Sequence, residues 1–240
     1  MMKQLTGYPT KFSEHSFFNE TLGTESVVVD FGSNHGFFAT AIIKRFGCHV
    51  YGVEPVKELF DALPKTQDGL FTAFNVAIGA VDGVQEINVF SDKCASLYGS
   101  NTADEYTQTG EVSVWTLRTF LEQANLLHVD LLKIDIEGAE LDMLETANSD
   151  DLQRISQITI EFHDFIFVEQ KDRVRTAINK LIDNGFYMIR ISQDNTDVLF
   201  VNSAHCQIPM LKLAFIRGPY KYAIGIQRRL KRSLYNNSSN

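Results

Sequence analysis

One stretch constrains this chain more than any other: Val27-Val28-Val29-Asp30-Phe31-Gly32-Ser33-Asn34-His35-Gly36. β-Branched residues run into an acid, a glycine-bounded turn follows, and Phe37 to Phe46 is apolar enough for a helix. Strand, tight loop and helix N-terminus in that order seat nucleotide-like ligands in open α/β sheets. The glycine spacing is G-x-x-x-G, which is neither the G-x-G-x-x-G of dinucleotide sites nor a P-loop. An acid at the strand end repels a phosphate and suits a ligand with a positive amino group.

The rest of the chain repeats the alternation. Strands are predicted at His49–Glu54, Leu70–Val76, Val129–Asp135, Gln157–His163, Tyr187–Ile191 and Val198–Asn202. Helices are predicted from Pro55 to Leu63, Leu117 to Ala124 with Thr116 as N-cap, Ala139 to Ala147 and Arg173 to Asn184. Asp82-Gly83 signals a turn, with strand pieces at Val84–Phe90 and Glu111–Trp115 around a polar loop from Ser91 to Gly110. The expectation is an α/β fold with a mostly parallel sheet and helices on both faces. Residues 1–26 read as a short helical or irregular cover, 27–204 as the main domain and 205–240 as a basic tail.

The tail stands out by charge. Residues 205–240 carry seven Lys or Arg and no Asp or Glu, whereas the first 204 carry 15 basic and 30 acidic groups. An acidic body argues against broad nucleic-acid contact. Tyr222, Ile226, Leu230 and Leu234 recur every four residues, which gives one apolar helix face between basic residues. Docking on the acidic body is the preferred reading, and contact with an anionic membrane surface is the other. Met1 to Thr6 lacks the apolar core of a signal peptide. Cys48, Cys94 and Cys206 form neither a metal-ligand spacing nor an even framework. A cytoplasmic location is the expectation.

Ligand-binding signals fall at the carboxyl ends of successive strands. Asp30, Gly32, Asn34 and Gly36 form the first. Glu54 suits a ribose diol, with the bland alternative of a solvated cap. Asn75 and Val76 end the third strand, where an adenine would lie. Asp135-Ile136-Glu137-Gly138 ends the fourth. Alone, each glycine has the plainer role of letting a helix approach a strand.

The pieces Val-Val-Val-Asp30-Phe-Gly32-Ser-Asn34-His-Gly36, Asn75-Val-Ala-Ile-Gly79, Leu-Leu-Lys133-Ile-Asp135-Ile-Glu137-Gly138-Ala-Glu140 and Ile-Glu161-Phe-His163 resemble the FkbM family of S-adenosylmethionine-dependent methyltransferases. The resemblance spans about residues 27–202, and the Lys133 to Glu140 block is its most specific part. It implies a Rossmann-like class I methyltransferase sheet and O-methylation of a sugar, glycan or small secondary metabolite. The rivals are a nicotinamide-dependent oxidoreductase, which the glycine spacing disfavours, and a ligand-binding protein of the same fold without catalysis.

Alternation along strands sharpens the catalytic expectation. Lys133 and Asp135 share one face of the fourth strand, and Thr159, Glu161 and His163 share one face of the fifth. If the strands are neighbours, as the resemblance implies, these five gather on one side, with Lys133 paired to Glu161. A hydroxyl acceptor needs help in losing its proton. His163 serves by type as a base, with Asp135 and Glu161 beside it. Alternatively Asp135, Glu137 and Glu161 hold Mg²⁺ or Mn²⁺. The metal-free arrangement is preferred.

Overall fold

The computed structural model describes residues 2–65, 69–89, 95–96, 108–162, 170–192 and 195–220. Its centre is a seven-stranded sheet: β1 Val27–Phe31, β2 His49–Val53, β3 Phe71–Phe74, β4 Leu131–Ile134, β5 Gln157–Ile160, β6 Phe186–Arg190 and β7 Val198–Asn202. The spatial order is β6-β7-β5-β4-β1-β2-β3. The β5–β4–β1–β2–β3 ladder is parallel, and β7 runs antiparallel between β5 and β6. This is the strand order of class I methyltransferases, and it reverses at β4/β1, where such sheets open a crevice at the carboxyl ends of their strands.

The central strands are apolar because both faces are covered. On one face Val29, Phe31, Leu132, Ile134, Ile158, Ile160, Val198 and Phe200 pack into the larger core. The helices α3 Leu117–Gln123, α4 Glu140–Thr146 and α6 Lys171–Asp183 cover it through Leu121, Leu144 and Leu181. Thr116 caps α3 as expected, its hydroxyl accepting from the Thr119 N–H. On the opposite face Val28, Val50, Leu131, Leu199 and Val201 meet Phe38 and Ile42 of α1 Phe37–Phe46. The remaining helices are α2 Lys57–Ala62, α5 Ser149–Gln153 and α7 Met210–Phe215. Among the described residues no helix is long and apolar enough to cross a membrane.

Residues 2–26 are the expected cover, but not in the expected helical or irregular form. They form strands: Lys3–Gln4 pairs in parallel with Cys206–Gln207, and Thr10–Phe12 makes a hairpin with His15–Phe17. Leu5, Phe17 and Phe18 are fully buried in the second core, so the segment covers a sheet face. The hairpin is bolted down by polar bonds. Ser16 donates its N–H and hydroxyl to the two carboxylate oxygens of Asp197 at 3.0 and 2.7 Å. Gln157, on β5, accepts from the Phe18 N–H at 2.9 Å and donates to the Phe18 carbonyl at 3.2 Å. A run of polar and aromatic residues hides short strands, because three-residue strands leave almost no periodicity to read.

The insertion is a second sheet in the order Ala77–Ile78, Gln108–Trp115, Gly83–Val89, Ala95–Ser96. Most of the polar loop between Ser91 and Gly110 lies outside the described residues, as does the tail from residue 221 on, where the basic helix was expected. The fifth strand ends at Ile160, short of the expected His163, which also lies outside the described residues.

Candidate functional site

The loop after β1 is built by backbone contact. Gly32 and Ser33 both donate N–H to the Val53 carbonyl, at 3.1 and 2.9 Å. Gly32 has φ +80°, and a Cβ there would stand 1.8 Å from the Asp135 carbonyl oxygen. Only glycine lets the β1 and β4 loops touch in this way. Gly36 begins α1 with φ +72°, and no side chain caps that helix N-terminus. Its first-turn N–H groups are therefore open to a carboxylate.

Glu54 closes the same loop. Its Oε2 accepts from the Asn34 N–H at 2.7 Å and its Oε1 from the Val56 N–H at 2.9 Å. Asn34 reaches this bond through a positive φ of 48°. Glu54 is 4% exposed, and burial pushes its carboxyl up although both N–H bonds pull it down. Each oxygen retains a lone pair for a diol. Asn75 donates its side-chain amide to the Glu54 and Pro55 carbonyls, both at 2.9 Å. The predicted cofactor residues Glu54 and Asn75 thus also hold the loops in place. Val76 is placed in the larger apolar core.

Asp30 departs from expectation. Its side chain is fully buried, and its positive neighbour is Lys133, whose Nζ stands 3.1 Å from Oδ1. The same ammonium donates to the Gly32 carbonyl at 2.6 Å and lies 3.5 Å from Asp135 Oδ2. Burial would lower the Lys133 pKa, but Asp30 and Asp135 hold it above its ordinary value. The Lys133 partner read from sequence was Glu161. Register explains the difference: Lys133 lies directly opposite Asp30 on β1, while Glu161 comes two residues beyond Thr159, its level on β5. The shared face itself is as expected.

At the cleft end of that face Asp135 and Glu161 meet His15 of the hairpin. One donor atom from each lies within 4.8 Å of the others. The imidazole Nε2 is 3.7 Å from Asp135 Oδ2. His15 is 3% exposed, and its Nδ1 is buried without a hydrogen-bond partner. Three more buried oxygens on this face lack hydrogen-bond partners, both of Asp30, whose Oδ1 is ion-paired with Lys133, and Thr159 Oγ1. The β4 loop is stiffened by Glu140, whose Oε1 accepts from the Ile136 and Gly138 N–H groups, both at 3.1 Å. Sequence reading missed His15. The polar pair Ser13-Glu14 forms the hairpin turn with φ of 46° and 69°, without the Asn-Gly or Asp-Gly that usually announces one.

The family model of the methyltransferase FkbM domain matches residues 30–188. The chain belongs to this family. It is a methyltransferase, and the FkbM match runs from the end of β1 through β5 and takes in every cofactor residue predicted from sequence, but not His15. Methyltransferase sdnD of Sordaria araneosa is 22% identical over 223 residues, covering 76% of this chain and 82% of that protein. Among solved structures, fibrillarin of Aeropyrum pernix with bound S-adenosyl-L-methionine overlaps at TM-score 0.42 and 12% identity. That overlap covers 75% of this chain and 66% of the other, just under two thirds of its length. TrmK of M. capricolum with S-adenosyl-homocysteine overlaps at TM-score 0.41 and 10% identity, covering 86% of this chain and 75% of the other. The class of the FkbM fold rests on its own strand order.

Proposed function

We propose that this methyltransferase binds S-adenosylmethionine at the β1, β2 and β4 carboxyl ends and methylates a hydroxyl of a sugar, glycan or small metabolite. The observation that carries the reading is the Glu54 carboxylate, gripped by the Asn34 and Val56 N–H groups beside a glycine loop where a side chain would collide with Asp135. The residues fit the cofactor. Glu54 has lone pairs for the ribose diol, and the uncapped start of α1 suits the methionine carboxylate.

When bound, S-adenosylmethionine supplies an electrophilic methyl on a sulfonium. The chain's part is to hold the acceptor oxygen in line with that methyl and to take its proton. Asp135 and Glu161 offer acceptors for the hydroxyls of a polar substrate. His163, two residues beyond Glu161, is the proposed base by its type. The O–C bond forms as the C–S bond breaks, the proton passes to the imidazole, and S-adenosylhomocysteine leaves.

The test is ligand-induced stabilisation. S-Adenosylhomocysteine should raise the melting temperature, NAD should not, and Glu54→Ala should weaken the former by about 1–3 kcal/mol through lost charge-assisted bonds. A shift with NAD and none with S-adenosylhomocysteine would overturn the assignment.

A further inference from the structure

We propose that His15, Asp135 and Glu161 form a binding site for a divalent transition-type cation, with Mn²⁺ as the probe. The site's role as help for the acceptor hydroxyl rests on the function proposed above, while its geometry does not.

The three residues arrive from different places. His15 comes from the N-terminal hairpin, Asp135 from the end of β4 and Glu161 from just past β5. Their donor atoms already converge within 4.8 Å. Neighbouring ligands on one ion stand about 3 Å apart, since each bond is about 2.0–2.3 Å long. Closure therefore needs side-chain movements of an ångström scale, with no refolding. Lys133 Nζ stands 3.5 Å from Asp135 Oδ2, so an ion here would share that carboxylate with the ammonium.

The imidazole is the independent observation. It is 3% exposed, and its Nε2, the nitrogen that faces the carboxylates and would ligate, stands 3.7 Å from Asp135 Oδ2, beyond hydrogen-bond length; Nδ1, on the other edge of the ring, also lacks a partner. A buried polar group left so is costly unless something binds it. Its orientation is fixed on both sides. Phe38 of α1 packs edge-on against the ring at 5.9 Å between centroids, and the Ser16–Asp197 bonds anchor the next residue. A ligand held this rigidly is preorganised for coordination.

The donor set decides the class of ion. One imidazole with two carboxylates suits Mn²⁺, Fe²⁺ or Zn²⁺, whereas Mg²⁺ and Ca²⁺ prefer oxygen alone. Asp135 lies where the β1 and β4 loops touch, so the ion would stand beside the proposed cofactor cleft and would lower the pKa of a hydroxyl bound to it. The site differs from the Asp135, Glu137 and Glu161 set read from sequence. Glu137 is replaced by a histidine that lies outside the FkbM match.

The experiment uses the full chain, freed of metal by chelator, titrated with Mn²⁺ alone and followed by loss of the free-ion paramagnetic resonance signal. One Mn²⁺ per chain is expected, with clearly weaker competition from Mg²⁺. His15→Gln and Glu161→Gln should each weaken Mn²⁺ binding by about tenfold or more. Both variants should keep the S-adenosylhomocysteine melting shift, which shows that they are folded. Equal Mn²⁺ binding by wild type and both variants overturns the site. So does a wild type that binds S-adenosylhomocysteine but no Mn²⁺, and the methyltransferase reading then survives alone. Mn²⁺ binding lost in the variants, without any S-adenosylhomocysteine shift in the wild type, supports the site and overturns the cofactor assignment instead.

Discussion

Lys133 is the residue whose removal the fold should feel most. Its ammonium neutralises the fully buried Asp30, holds the Gly32 carbonyl and reaches Asp135. Lys133→Met leaves Asp30 as an uncompensated buried charge, which costs about 3–5 kcal/mol. Pairing it with Asp30→Asn should recover much of that loss, since no charge is then stranded. Urea unfolding of both variants checks this, and a thermally silent Lys133→Met would refute the pairing. At this scale the sequence was legible for facing and not for partners. Alternation placed Lys133, Asp135 and Glu161 on one side. It could not say that Asp30 stands opposite Lys133, because strand register is a long-range property. Glu54 was visible as an acid at a strand end, but its two N–H donors depend on Asn34 adopting a positive φ.

Among elements, the pairing of the N-terminal segment to the sheet turns on Asp130, just before β4. Its carboxylate accepts from Lys3 Nζ at 2.8 Å and from the Val27 N–H at 3.0 Å, and His128 Nε2 lies 3.7 Å away. Burial would raise its pKa, but these neighbours take it well below the ordinary carboxylate range. A lowered folded pKa means stability that is full above the unfolded value of about 3.8 and lost as pH falls through the folded one. Asp130→Asn should therefore cost about 1–3 kcal/mol at pH 7. The gap to wild type should narrow in strong acid, as denaturation at a series of pH values would reveal. Long periodic elements were readable in advance, and β1, α1, α6 and β7 lie within two residues of expectation. The hairpin was not, because its three-residue strands are shaped by Asp197 and Gln157 from far along the chain.

For the molecule as a whole, the strand alternation announced the parallel sheet, and residues 3–18 were legible as a cover but not as the short strands that close its second face. That closure is energetically large. Leu5, Phe17 and Phe18 are completely buried, and each side chain contributes about 1.5–3 kcal/mol. Their sum approaches the roughly 5–15 kcal/mol that keeps a domain folded. A chain lacking residues 1–24 should accordingly aggregate or melt far below the full chain, which solubility and calorimetry would show. The pairing of Lys3–Gln4 with Cys206–Gln207 has a consequence for biosynthesis. The ribosome makes the first of these strands some 200 residues before the second, and domains fold as translation delivers their parts. Until residue 207 emerges, the earliest segment has no strand to join, and its phenylalanines stay within reach of chaperones and proteases. Arrested nascent chains ending before β7 should be cut by protease near residues 5–18, and chains extended well beyond residue 207 should resist.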